Sequence, residues 1–589
     1  MIEYDYFYRK VRMCMLEYCN PLNLSYKYQH YGKAAHREGA DPTLILFKGR
    51  YYLFVSMSAG FYYSDDLMNW QWHENRDLDI YHYAPDVRQH GDYLYFTASS
   101  RSVHSSIWRT KDPLSDEFEK VSAPFAFWDP DLFFDVDGRV YLYWGCGNIE
   151  PIWCIELDHK TMEPIGERVP VISPNIAAHG WERFHFPGKE PEKRTFPMNI
   201  VMAFLNRKGN PYMEGAYMNK WNGKYYLQYA APGTEYHLYG DGYYVGDSPM
   251  GPFVFMPNTP FSLKPGGFIT GAGHGSTIED KYGNLWHAAT MRISVNEAFE
   301  RRVGLFPAKL DADGMLHCNQ NFADYPVAVP EGKFDADMLA PQHMLLSYKK
   351  KVIASSSLPG HSPEFAVDES IRTWWCAEGC RGEWIQLDLG DVYTPHSIQL
   401  NFADEGVPVK KVAKSQRSGM ETNVRYVDSG TELRTQYILE ASVDGENWFV
   451  VKDLSGANTD LPHPYFVLPE NMRMRYIRLT GVALPYGSRL AVSGIRVFGK
   501  GNGEKCAPVV SAKALMEDCM TCRLVWQGVK GAQGYNVRYG IAPDKLYNSW
   551  LVYDCTELLL STLNADQKYY YAIDAFNENG ITKGTVQAV

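Results

Sequence analysis

Short apolar runs alternate with glycine-centred breaks along the whole chain, and over its first 330 residues one such phrase recurs five times. Each copy opens on a polar residue, continues as an apolar run, turns at a glycine and resumes as a strand rich in tyrosine and leucine. The first three copies are Asp41-Pro-Thr-Leu-Ile-Leu-Phe-Lys-Gly49-Arg-Tyr-Tyr-Leu, Asp86-Val-Arg-Gln-His-Gly91-Asp-Tyr-Leu-Tyr and Asp129-Pro-Asp-Leu-Phe-Phe-Asp-Val-Asp-Gly138-Arg-Val-Tyr-Leu. The last two are Glu214-Gly-Ala-Tyr-Met-Asn-Lys-Trp-Asn-Gly223-Lys-Tyr-Tyr-Leu and His274-Gly-Ser-Thr-Ile-Glu-Asp-Lys-Tyr-Gly283-Asn-Leu-Trp. Apolar strand, glycine, apolar strand is the pattern of a β-hairpin, because glycine adopts positive φ without steric cost. Five such units, spaced about 40 to 85 residues apart, predict an all-β chain that begins with a five-bladed β-propeller.

The phase of the repeat makes a sharper prediction. The polar leader lies eight residues before the turn glycine in the first copy (Asp41 to Gly49) and nine before it in the third, fourth and fifth. In the second copy Asp86 is only five residues from Gly91, and position eight is Tyr83. The innermost strands of a propeller all end at one mouth of the central channel. Asp41, Asp129, Glu214 and His274 are therefore expected to face one another across a pocket, with Tyr83 beside them and Asp86 off the ring.

Around these blades, residues 1–40 are expected to supply an entry helix or an outer strand that closes the ring. Residues 177–190 (Ala177-Ala-His-Gly-Trp-Glu-Arg-Phe-His-Phe-Pro-Gly-Lys-Glu) form a polar, aromatic insertion, read either as a specificity loop or as an ordinary lid or interface loop. Beyond residue 330 the pattern changes to short alternating strands with turn residues between them, the signature of β-sandwiches. The predicted domains are a propeller over 1–330, a sandwich over 331–502 and a smaller sandwich over 503–589.

Length agrees: 589 residues exceed what one core can organise. The 42 Tyr, 28 Phe and 15 Trp favour β structure and surfaces that stack on sugar rings. A net charge of −11 with no basic run and no glycine-rich phosphate loop argues against nucleic acid as a partner. No stretch reaches the 18 or so apolar residues of a membrane helix, and the N-terminus as given lacks a signal-peptide pattern. A soluble, cytoplasmic protein is expected. The 11 scattered cysteines fit a reducing compartment. Cys519-Met-Thr-Cys522 stands alone as a CxxC, and Cys376 and Cys380 would bridge only in an exported protein.

On these residues, 20–330 resembles glycoside hydrolase family 43, a family of five-bladed propellers. The resemblance implies Asp41, in its Ala-Asp-Pro context, as general base. It implies Asp129, before Pro-Asp-Leu-Phe-Phe-Asp, as the residue that orients the acid and tunes its pKa, and Glu214 as general acid. It also implies His274, in Gly-Ala-Gly-His-Gly-Ser, at the channel centre near a water-shielded calcium ion. Two departures stand out: Tyr83 where the family usually has Trp before Ala-Pro-Asp, and Glu214-Gly-Ala216 where it has Glu-Gly-Pro.

Residues 350–500, through Thr373-Trp374-Trp375 and Trp384-Ile-Gln-Leu-Asp388-Leu-Gly390, resemble the discoidin or coagulation-factor type C sandwich, related to carbohydrate-binding module family 32. The tail resembles fibronectin type III, with Trp526 as core Trp and Tyr569 or Tyr571 at the tyrosine corner.

The implied chemistry is inverting hydrolysis. One protonated carboxyl serves the leaving oxygen, and one ionised carboxylate activates water, the two roughly 6.5–9.5 Å apart. Asp129 beside Glu214 is expected to keep the acid protonated near neutrality. The expected substrate is the terminal sugar of a plant-type oligosaccharide, β-D-xylose or α-L-arabinofuranose first, with galactose or galactofuranose ends as the alternative. A non-catalytic glycan-binding protein is the reading from another class. Tyr83, Trp128, His274, Arg292 and Arg302 are the candidates for holding substrate. No organic cofactor is expected, and the oligomeric state stays open.

Overall fold

Hairpin geometry follows the turn glycines. Gly49, Gly91, Gly138, Gly223 and Gly283 all adopt positive φ, at 82°, 57°, 87°, 76° and 80°. In this computed structural model the described residues are 15–31, 34–75, 78, 83–100, 104–183, 211–293, 299–408, 423–425 and 433–589.

Each blade is an antiparallel sheet of four strands taken consecutively from the chain. The innermost strands are Thr43–Phe47, Asp86–His90, Asp131–Phe134, Glu214–Trp221 and Thr270–Glu279. Each packs against the next around the channel, and the fifth packs back on the first. The seam is hydrogen-bonded through Ser276, whose Oγ donates to Pro42 O at 2.9 Å and accepts from Leu44 N at 2.9 Å. This corrects the expected role of the N-terminal segment. Met15–Tyr18 pairs with Val327–Pro330 as a separate ribbon rather than completing a blade. Every blade already has four strands of its own, so the ring needs no borrowed one.

Between blades the core is aromatic and aliphatic. Trp181, fully buried, comes from the insertion and packs on Tyr229 of blade IV, their ring centroids 5.4 Å apart. It lies so close to Gly242 that a Cβ there would meet its ring at 2.4 Å. The described part of the insertion is thus anchored rather than free. Glu182 accepts from Tyr229 OH at 2.5 Å, Gly180 N donates to Leu563 O at 3.0 Å, and Arg183 reaches Thr521 Oγ1 at 2.9 Å. Residues 184–190 lie outside the described residues.

Two sandwiches follow. The first packs a sheet containing Ser397–Phe402 and Ala491–Gly499 over one containing Trp384–Tyr393, Gln436–Ser442 and Met474–Ala483. Trp375 is buried in its core, whereas Trp374 packs against blade V. The second faces Ala512–Asp518, Thr521–Trp526 and Glu557–Leu560 with a sheet built on Gly534–Gly540 and Tyr570–Asn577. Here Tyr569 OH accepts from Asn564 N at 2.9 Å, the tyrosine-corner bond, so Tyr569 rather than Tyr571 holds that place.

Both sandwiches are seated on the propeller by buried polar contacts. Arg37 is paired with Asp404 and Asp460 of the first. At the junction of all three units Arg496 binds Glu369, Gln399 Oε1 and the carbonyl of Asp324, and Tyr553 OH of the second sandwich lies 2.9 Å from Tyr325 OH. All described cysteines are free, Cys376 and Cys380 among them.

Candidate active site

At the channel mouth, each inner strand is entered through a residue in the left-handed region. Asp41 (φ 51°), Ala84 (φ 50°), Asp129 (φ 48°), Gly215 (φ 63°) and His274 (φ 46°) each stand two residues before the first ladder position that the blades share. The equivalent of Asp41 in blade II is therefore Ala84, one residue past Tyr83. Glu214 likewise precedes its left-handed residue, because a bulge separates Glu214 from Tyr217 in the ladder. Gly215 has to be glycine: a Cβ there would meet the His274 ring at 2.7 Å.

A second repeated position holds this ring in place. Ser56 Oγ accepts from Ala84 N at 2.8 Å, Ser99 Oγ from Asp129 N at 2.9 Å, and Thr290 Oγ1 from Asp41 N at 2.8 Å. Ser56, Ser99 and Thr290 lie seven or eight residues past their turn glycines, and so does Cys146 in blade III. A hydroxyl or thiol there thus meets the next blade's mouth. That signal is present in the sequence.

The carboxylates converge around His274. Its Nδ1 is 3.4 Å from Asp41 Oδ1 and 3.8 Å from Asp129 Oδ2. Its backbone is clamped by Asp241, which accepts from His274 N at 2.6 Å and Gly275 N at 2.9 Å. Asp41 also accepts from Ser56 Oγ at 2.5 Å and from Arg301 at 3.2 Å. Glu214 accepts from Tyr239 OH at 2.6 Å and from the Cys146 thiol at 3.2 Å.

Electrostatics separate the acids. Burial pushes the Asp41 carboxyl up, but Arg301, His274 and the bonds from Ser56 and Thr290 outweigh it and hold it below its ordinary value. Asp129 goes the other way, up to about 7. Burial is the main cause; His274 opposes it, and the neighbouring charges of Glu214 and Asp41 add to it. His274 is raised: burial lowers it, and the carboxylates of Asp41, Asp129, Glu214 and Asp241 more than compensate. Burial first, then the adjacent carboxylates, holds both the Tyr239 phenol and the Cys146 thiol well above their ordinary values, so both remain donors.

The remaining candidates divide. Tyr83 is buried beside Met57 and Ala84 with Trp128 packed on the same cluster. Its ring lies 5.8 Å from Phe299 and 5.7 Å from the Arg301 guanidinium. Arg292 is buried at the end of Leu285–Arg292, opposite Arg301 in the ladder. Arg302 does not reach the pocket. It is buried and bonds His463 Nε2 at 2.9 Å and Arg37 O at 2.7 Å, on the side of the first sandwich. Successive residues of a strand face opposite ways, so Arg301 takes the pocket and Arg302 the domain interface. Arg301, Tyr239 and Cys146 are the residues that sequence reasoning missed.

As for metals, a calcium ion takes six to eight oxygens. Those of Asp41 and Asp241 nearest His274 are already engaged by protein donors, and the imidazole itself supplies positive charge there. These residues build no calcium cage. Asp129, Cys146 and Glu214 bring ligand-type atoms within 4.8 Å of one another, but the thiol is held protonated.

A propeller with three acids at its mouth, one held ionised and one held towards the neutral form, is the arrangement of an acid–base enzyme. Residues 35–316 match the family described as Glycosyl hydrolases family 43. Among curated proteins, the chain is 27% identical over 162 residues to a β-xylosidase of Xylanibacter ruminicola, covering 25% of this chain and 45% of that one. It is 23% identical over 281 residues to the β-D-galactofuranosidase xynD of Aspergillus niger, covering 41% and 69%. A solved structure described as a glycoside hydrolase superposes with a TM-score of 0.44 at 18% identity, covering 78% of this chain and 97% of that chain. The chain spans about half the length of the first curated relatives it matches.

Proposed function

We propose that this protein is a glycoside hydrolase that removes a terminal sugar with inversion, using Asp41 as base and Glu214 as acid. The observation that carries the proposal is the convergence of Asp41, Asp129 and Glu214 on His274 at one mouth of the channel. Inversion needs an ionised carboxylate on the water side and a proton on the leaving-group side. Asp41 is held ionised by Arg301 and His274. Asp129, raised to about 7 by burial and by the neighbouring charges of Glu214 and Asp41, keeps a proton beside Glu214. Tyr239 and Cys146 orient Glu214 towards the bond to be broken. In the reaction Glu214 gives a proton to the glycosidic oxygen while Asp41 takes one from the attacking water, so charge balances across the site. Arg301 and the Tyr83–Trp128 surface would receive the sugar ring and its hydroxyls.

For substrate we propose a terminal pentose of a plant-type oligosaccharide, β-D-xylose or α-L-arabinofuranose. Xylosidase and galactofuranosidase names among the relatives support the class and keep galactofuranose ends as the alternative. The test is a nitrophenyl glycoside panel, with Glu214→Gln alongside. Turnover of one sugar, reduced about a hundred- to ten-thousand-fold in the variant, is the expected result. A folded protein silent on the aryl panel and on natural oligosaccharides would leave the glycan-binding reading in its place.

A further inference from the structure

Away from the channel, three segments meet at the edge of the propeller where the first sandwich docks. Glu17 comes from the N-terminal strand, His343 from the linker between the two units, and His396 from just before Ser397–Phe402. One ligand-type atom from each lies within 4.8 Å of the others. Glu17 Oε2 is 2.8 Å from His396 Nε2, and Tyr465 OH donates to Glu17 Oε1 at 2.6 Å. The two imidazoles stack face to face, centroids 3.8 Å apart and 11° from parallel. All three residues line a cavity of about 580 Å³ between the domains.

We propose that Glu17, His343 and His396 form a binding site for a divalent transition-metal ion of the Zn²⁺ class, which staples the N-terminal strand and the linker to the sandwich. Two histidines and one carboxylate are a zinc donor set, and the open cavity leaves the fourth position to water. Donor atoms around a tetrahedral ion with bonds of roughly 2.1 Å stand about 3.4 Å apart. From within 4.8 Å the farthest pair closes by little more than an ångström, while Glu17 Oε2 and His396 Nε2, at 2.8 Å, open by about half that. His343, on the linker, is the ring that turns. His396 is pinned through its backbone, its N–H to Phe498 O at 2.7 Å and its C=O accepting from Leu468 N at 2.8 Å. Tyr465 supplies the outer hydrogen bond that orients a ligating carboxylate. Two stacked rings repel if both are charged, whereas neutral rings can share one cation.

The experiment uses the untagged full-length chain, stripped with chelator and dialysed. Titration with Co²⁺ followed by visible absorption should show one equivalent in four-coordinate geometry. Zn²⁺ should displace it and raise the melting temperature. His343→Asn, at the turning ligand, should abolish the cobalt band, and Tyr465→Phe should weaken binding about ten- to a hundredfold. Absence of a four-coordinate band in the parent chain overturns the proposal. So does a band that survives His343→Asn, or one that Cys146→Ser removes, which would locate the ion at the channel mouth. Should a variant at His396 fail to fold, the His343 variant still decides. Glycosidase activity is not the readout, so the outcome is independent of the proposed reaction.

Discussion

Asp129 and Asp131 stand two residues apart and are both buried, yet they do opposite work. Asp131 is paired with Arg88 and accepts from Met218 N at 2.9 Å, tying blade III to blade IV. Its neighbour in the channel neck, Asp86, accepts from Leu132 N at 2.7 Å and ties blade II to blade III. Each of these carboxylates spends itself on a backbone N–H of the next blade, as Ser276 does at the seam. Two residues away at the mouth, Asp129 has Ser99 on one side and acids on the other. His274, partly open to solvent, stands between it and Asp41. The residue type is the same; what faces it decides whether it is mortar or chemistry.

Substitution should break that contrast cleanly. The largest effect is on catalysis. Asp41→Asn is expected to lower kcat about a hundred- to ten-thousand-fold, as loss of a general base does, in a protein that still melts cooperatively. Assays on the panel's best substrate check it. Asp131→Ala should do the reverse. Removing one partner of a buried ion pair costs about 3–5 kcal/mol, seen as a lower urea midpoint, while KM of the folded enzyme is retained.

The pH dependence sharpens the comparison. Asp129 is raised in the folded state to about 7 from an ordinary value of 3.8. The folded protein therefore binds a proton that the unfolded chain releases, and stability falls as pH rises from about 4 to about 7. Asp129→Asn should remove this slope and raise the melting temperature by a few degrees at pH 8; a variant with an unchanged slope would refute the assignment. The same proton is needed for turnover, so kcat of the parent should decline on the alkaline side of neutrality, while the acid side stays broad because Asp41 is held low.

The smallest effect is expected from Tyr239→Phe. Losing one donor to Glu214 should reduce kcat a few-fold with KM unchanged, because the acid loses a bond that holds its carboxyl in place. Tyr239 follows Leu238, which is buried in the core of the last sandwich with Trp550. That contact gives the C-terminal domain a hold on the acid's position.

Blade number, turn positions and the meeting of Asp41, Asp129, Glu214 and His274 were legible along the chain. They depend on local rules, positive φ at glycine and a fixed count of residues from turn to mouth, which a repeat copies from blade to blade. The offset between Tyr83 and Ala84 was not legible, because Gly91 is the first residue of its two-residue turn and Gly49 the second of its own, which changes the count by one without marking the composition. Nor did two adjacent arginines reveal which would face the pocket. Arg302 is claimed by His463, far along the chain, and that claim turns Arg301 inward. Tyr239 on Glu214, Trp181 against Gly242 and Arg37 between Asp404 and Asp460 belong to the same class. Each joins residues whose separation in sequence carries no period, so only the packed molecule could bring them together.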